Sequence, residues 1–187
     1  MSFSFSLPKA TEAACLLLER EGGSMNILKL VKLVYLLDRL AIERAGVPVV
    51  GGTCFSMRNG PVNSALLDLI NAGSLWNEKD DEWERFISDR SGHEVKLRRK
   101  RKIQHLSPFE VRLVDEIYKT HGHRDQWALV KWCHKHCKEW MPLDEGRALI
   151  RLEEIGRAVG KTAKQRRRLK ERADSDAQLE RLFATAN

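Results

Sequence analysis

The sequence predicts a predominantly α-helical fold with a small antiparallel β-hairpin, an α+β chain folded as a single compact domain. Three observations carry that prediction. Residues 27–42 are apolar at almost every position, and the run is long enough to be a central helix. Ser91-Gly92 lies between two short segments, 83–88 and 93–97, as a hairpin turn does. Ser107-Pro108-Phe109-Glu110 has the residues of a capping box, which opens a helix.

Lys9 to Arg20 forms the first helix, with Ala13, Leu16, Leu17 and Leu18 to bury. Gly22 and Gly23 end it, and Ser24 or Asn26 caps the next. In the second helix, apolar residues from Ile27 through Ile42 cover more than one face, so it is buried on several sides. Lys29, Lys32, Arg39 and Glu43 are expected to mark a narrow strip that reaches water. Those charges, with Asp38, exclude a bilayer span. Gly46 closes the helix and Pro48 prevents its continuation. Val47 to Met57 reads as extended.

Pro61 is expected at the first position of a third helix, with Val62, Ala65, Leu66, Leu69 and Ile70 as its stripe and Gly73 as its end. The helix from Ser107 buries Phe109, Leu113, Val114, Ile117 and Tyr118, and ends at Gly122. Asp125 to Lys138 forms another, bearing Trp127, Val130 and Cys137 and broken by Pro142. Leu149, Leu152, Ile155 and Val159 mark one more, stopped by Gly160. From Thr162 the chain is helical by propensity, but its large apolar residues are only Leu169, Leu179, Leu182 and Phe183. It is expected to dock loosely or on a partner. The organisation is thus a domain over residues 9–160 and a basic C-terminal helical tail over 161–187. Helices around a hairpin also supply the parts of a winged helix, with residues 83–97 as the wing.

A chain of 187 residues, 42% apolar with 5 Trp, buries a proper core rather than staying disordered. Its 4 cysteines fall within helical or strand patterns, as buried free thiols do. The N-terminus lacks the pattern of a secretory signal, so a cytoplasmic protein is expected. The charge is uneven. Residues 96–102 and 161–172 each carry +6, which leaves −5 for the remainder of a chain whose total is +7. The body is mildly acidic and two local patches make the protein basic.

The order of parts from Leu28 onward carries a family resemblance. Leu28-Lys29-Leu30-Val31-Lys32-Leu33-Val34-Tyr35 reads as Leu-Lys-Leu-x-Lys-Leu-x-Tyr, with Lys29, Lys32 and Tyr35 at its polar positions. Gly60-Pro61-Val62 follows, with Asn59 where a histidine is common. Leu106-Ser107-Pro108-Phe109-Glu110 opens a later helix, and Cys133-His134 precedes Trp140. Over roughly residues 9 to 160 this pattern resembles the Panacea domain, also called the SocA-like or phage-associated GepA-like domain. The resemblance implies a bacterial or phage antitoxin that binds and neutralises a partner toxin. It also allows delivery of the toxin to a protease.

Other motifs carry less. Gly156-Arg157-Ala158-Val159-Gly160-Lys161-Thr162 approaches a phosphate-binding loop, but it has three residues between its glycines where that loop needs four, and a helix precedes it instead of a strand. Thr162 and Gln165 instead form a second capping box. His121, His123, Cys133, His134, His136 and Cys137 lie close in sequence, yet the paired spacing of a zinc finger is absent. His134, on the line of Trp127 and Val130, reads as a hydrogen-bonded core histidine. Asp80, Asp81, Glu82, Glu153 and Glu154 are sequence neighbours, which point in different directions and make poor catalytic pairs. No catalytic residue, metal or cofactor is assigned.

The expectation is therefore a binding protein and not an enzyme. Arg98, Arg99, Lys100, Arg101 and Lys102, with Arg166, Arg167 and Arg168, are the candidate contacts to a cognate toxin. The same patches allow nucleic-acid binding, and a DNA-binding regulator is the alternative. The basic tail has too little apolar face for a membrane surface.

Overall fold

Helix caps and turns divide the chain in a simple order. The first half has α1 (Leu7–Glu21), β1 (Ser24–Asn26), α2 (Ile27–Ala45), β2 (Cys54–Met57), β3 (Gly60–Asn63) and α3 (Ser64–Ala72). The second has β4 (Glu94–Lys96), α4 (Pro108–His121), α5 (Gln126–His136), β5 (Ala148–Ile150), α6 (Leu152–Ala158) and α7 (Ala163–Thr185). The structure, a computed structural model, describes residues 2–72 and 82–185. It is the expected α+β arrangement: seven helices with small antiparallel sheets among the described residues.

The core is built on α2. Leu30, Leu33, Val34 and Leu37 are fully buried, and each contributes about 1.5–3 kcal/mol by leaving water. Helices α1, α4, α5 and α6 all pack against α2, as does β3. Asn26 caps it by accepting the Leu28 N–H at 3.0 Å. The strip expected to reach water is only partly wet: Lys29 and Lys32 are buried, while Glu43 is exposed and Arg39 half-buried. Each buried lysine found acceptors on a neighbouring element, which periodicity within one helix does not reveal.

Two buried carboxylates clamp loops to this core. Asp38 accepts the N–H groups of Val49, Val50 and Gly51 at 2.8, 2.7 and 3.1 Å, which holds the segment between α2 and β2. Burial pushes the Asp38 carboxyl up to about 7, against the downward pull of those three amides. Gly51 (φ +74) lies where an added Cβ would strike the Ser4 carbonyl, so only glycine fits under the N-terminal segment. Glu12, on α1, accepts from the backbone of Gln104, His105 and Leu106 at 2.9–3.1 Å. Burial pushes its carboxyl up, but the bonds from Leu106, Gln104 and His105, with Arg101, outweigh it and hold the group below the usual range.

Pro61 does not open a helix. It lies in β3, paired with Ser56 of β2 across a tight turn at Arg58-Asn59. β3 is an edge strand, so the missing proline N–H costs no ladder bond. The helix begins three residues later, where Asn63 accepts the Leu66 N–H. Gly73, expected to end α3, lies outside the described residues. β5 is a strand the sequence did not reveal, and it takes Leu149 out of the expected helix. Paired with Phe55, Leu149 is 55% exposed.

The expected hairpin over 83–97 forms only in part. Its turn is present, with backbone bonds both ways between Ser91 and Glu94, and Ile87 meets Leu97 in an isolated bridge. The second segment becomes β4 and takes β1 as its partner, Met25 opposite Val95. The wing is thus tied to the start of α2 instead of standing free.

The capping boxes at Ser107–Glu110 and Thr162–Gln165 form as read. The near phosphate-binding loop is the C-terminus of α6 followed by that second cap. In α4, Leu113, Val114 and Ile117 are buried but Phe109 is 40% exposed. α7 docks through Leu169 and Ala173, closer than the loose tail expected.

Candidate functional site

The residues of the Leu28–Tyr35 helix motif, the Gly60-Pro61-Val62 turn and the Cys133–Trp140 stretch are far apart in sequence. The structure gathers them where α2, the β2–β3 hairpin and α5 meet. Lys32, Tyr35 and Arg39 recur at helical spacing and so share one side of α2. Lys32 donates to the Pro61 carbonyl at 2.7 Å. Tyr35 Oη–H and Arg39 Nε–H both donate to Glu139 Oε1, at 2.7 and 2.8 Å. Trp140 Nε1–H donates to the Met57 carbonyl at 2.9 Å, and its ring stacks on His134 at 4.0 Å. Lys29 points elsewhere, to Glu21 at 2.5 Å and the Gly122 carbonyl at 2.7 Å, tying α1 to the end of α4.

Gly60 is the hinge of this cluster. Its φ is +98°, and an added Cβ would lie 3.2 Å from Lys32 Nζ and 3.5 Å from His134 Cδ2. Both the backbone conformation and the close approach require glycine. Asn59, beside it, is exposed. Val62 faces the core.

Electrostatically the cluster holds one buried cation among soft partners. Burial pushes the Lys32 ammonium down to about 8, and the nearby Cys133 and Cys137 oppose that. Cys133 is held below the usual thiol range by a hydrogen bond from Cys137 and, against burial, by Lys32. Cys137, the donor, is pushed up. Both sulfurs are sealed from solvent, so their chemistry is internal. Burial and Lys32 lower the His134 imidazole, while a hydrogen bond to the Arg58 backbone pulls the other way.

His134 is therefore an exposed stacking partner rather than a core histidine, and Trp127, expected beside it, is 55% exposed. Glu139 was missed in the sequence. The signal was available in principle, since a buried Tyr35 and a half-buried Arg39 on one side of a helix need a shared acceptor. The other candidate ligands disperse: His121 meets the edge of Trp132 at 4.4 Å, and His136 stacks on its face at 4.3 Å. Among the described residues no group of three His, Cys, Asp or Glu is placed to hold a metal.

The two basic runs lie elsewhere. Arg98 approaches Asp89 at 3.5 Å, and Lys100 approaches Glu19 at 3.9 Å. Arg99 lies over the Phe86 ring. Arg101 turns inward to Glu12 and Glu82, its side chain 5% exposed. Lys102 is exposed. Of the tail, Arg166 packs over Gly156 and donates to the Lys161 carbonyl. Arg167 pairs with Glu171, and Arg168 is exposed. The first run is anchored on α1, the second beside α6 and the C-terminal end of α2.

Beside the cluster opens a cleft of about 500 Å³, bounded by the start of α2, the hairpin turn, α3 and the start of α5. Lys32 and Gly60 belong to its wall, so the buried cluster and the open surface are continuous. A smaller cavity of about 200 Å³ lies over Tyr35 and Asp38 beneath the N-terminal segment. No helix among the described residues is long and apolar enough to cross a membrane.

No curated protein and no solved structure matches the chain. A family does: the Antitoxin SocA-like, Panacea domain matches residues 30–141, from the first turn of α2 to the residue after Trp140. That span takes in Lys32, Tyr35, the Gly60-Pro61-Val62 turn, His134 and Trp140, and it exceeds half of the sequence. The chain belongs to the Antitoxin SocA-like, Panacea domain family.

Proposed function

We propose that this protein is an antitoxin that neutralises a cognate toxin by binding it directly. The family match over residues 30–141 carries this reading. The geometry agrees with it. The functional-looking residues are spent on cross-bracing: Lys32, Tyr35, Arg39, Glu139 and Trp140 each hold one element to another. A rigid frame of this kind suits a preformed binding surface, which avoids an ordering cost on association. The protein performs no reaction of its own and takes no cofactor. The exposed cations Arg98, Arg99, Lys100, Lys102, Arg167 and Arg168 draw in an acidic partner and discourage wrong ones. Arg101 and Arg166 position their neighbours instead.

Co-expression with the toxin encoded beside this chain tests the reading. Growth is restored and the two proteins copurify if it is right. Continued toxicity with the antitoxin folded and abundant overturns it. The alternative, a DNA-binding regulator, requires site-selective binding to upstream DNA that weakens steeply with salt.

A further inference from the structure

The cleft beside the cluster joins an apolar lining to cationic residues. Its lining is aliphatic: Leu28 from α2 and Leu67 from α3 are half-buried, and the buried Ile27, Val31 and Val62 lie beneath. Its mouth is cationic, with Arg58 from the hairpin turn and Arg90 from the turn before β4. His93 lies beside them, and Trp127, at the start of α5, presents a half-open indole.

Among the described residues this charge meets no acid. The chain holds 26 acidic residues, yet among the described residues none lines this cleft. Arg90 is fixed by neutral oxygens, donating to Asn71 Oδ1 at 2.6 Å and to the Gly92 carbonyl at 3.1 Å. Those bonds hold the guanidinium in place without cancelling its charge. Neither Arg58 nor Arg90 makes an ion pair among the described residues. Lys32 adds a third cation in the inner wall. Cations at the mouth of a low-dielectric concavity concentrate the field there and favour an anion.

An aliphatic wall gives nothing to a phosphate chain, and bare guanidinium groups give nothing to a purely apolar one. A peptide segment that carries acids beside an apolar side chain satisfies both. We propose that this cleft seats an acidic, apolar-bearing segment of the partner toxin, with carboxylates on Arg58 and Arg90 and an apolar side chain against Leu28 and Leu67. Trp127 covers the edge as an aromatic anchor. This inference rests on the antitoxin reading and names the surface that reading leaves open.

The test uses the full chain and the product of the adjacent toxin frame. Arg58→Glu with Arg90→Glu, and separately Leu28→Glu, are compared with wild type and with Lys119→Glu, a charge reversal on α4. Affinity is read by titration calorimetry, folding by melting temperature and neutralisation by growth. The double variant is expected to lose at least about thirtyfold in affinity with its melting temperature unchanged, while Lys119→Glu binds normally. Reversing acids on the toxin to Lys should restore binding to the double variant. If Leu28→Glu unfolds, the double variant decides alone, because both arginines are exposed.

Wild-type binding that survives the double variant overturns the cleft and leaves the antitoxin reading intact. If wild type neither binds nor neutralises, both fall together. Loss of binding to single-stranded DNA, with toxin binding unaffected, would assign the surface to nucleic acid and also overturn the proposal.

Discussion

Individual residues here show how burial reassigns charged groups. Lys32, Asp38 and Glu12 look like surface residues in the sequence, and each is buried and hydrogen-bonded to another element. Such groups persist in a core because their partners replace water. His121 is the case with a pH consequence. It is buried with Arg124 Nη1 3.3 Å from its Nδ1, and burial, then Arg124, His123 and His136, push its imidazole down to about 4. The unfolded chain binds a proton near pH 6.5, before the folded one does. The stability conferred by neutral His121 is thus complete above about pH 6.5 and drains away as pH falls toward 4. Between about pH 7.5 and 5 this contribution should fall by about 2 kcal/mol, read by urea unfolding as the difference between wild type and a His121 variant, because Asp38, raised to about 7, moves the total the other way. His121→Phe keeps a ring against Trp132 without titrating, and should flatten that part of the profile. An equally steep decline in the variant would show that another group is responsible.

Among the elements, α2 and α7 illustrate opposite relations between pattern and packing. Most of α2 packs against other elements, so its near-continuous apolar run was a faithful sign of burial. α7 is polar overall, and its docking rests on a few sites. Leu169 and Ala173 are buried, Arg172 donates to the Ala45 carbonyl, and Asp176 accepts the Ser4 N–H at 2.8 Å. Beyond that point Leu179 and Leu182 stand 54% and 65% exposed. Removing residues 178–187 should therefore leave the melting temperature nearly unchanged. Removing 163–187 strips α7 from α6 at Gly156 and forfeits the burial of Leu169, a loss of about 2–4 kcal/mol. Equal destabilisation by both truncations, seen in thermal melts, would refute the docking by Leu169 and Ala173.

At the scale of the molecule, a net charge of +7 is concentrated in two runs held at different places on the body. Exposed charges act on encounter more than on the final complex. The association rate with the proposed toxin partner should fall about tenfold from about 0.05 to about 0.5 M salt, with dissociation little changed. Replacing Arg98, Lys102, Arg167 and Arg168 by Gln should flatten that dependence in stopped-flow traces. An unchanged slope would remove the runs from the encounter. The sequence by itself determined the central helix, the two capping boxes, most helix boundaries and the family, because these follow from local spacing and cap chemistry. It did not disclose β5, the β1–β4 pairing, the role of Glu139 or the cleft. Strand partners and buried ion contacts depend on residues about a hundred positions apart, as Tyr35 and Glu139 are. The periodicity of one segment carries no record of what packs against it, so tertiary structure alone decided which charged residues brace the core and which stay exposed.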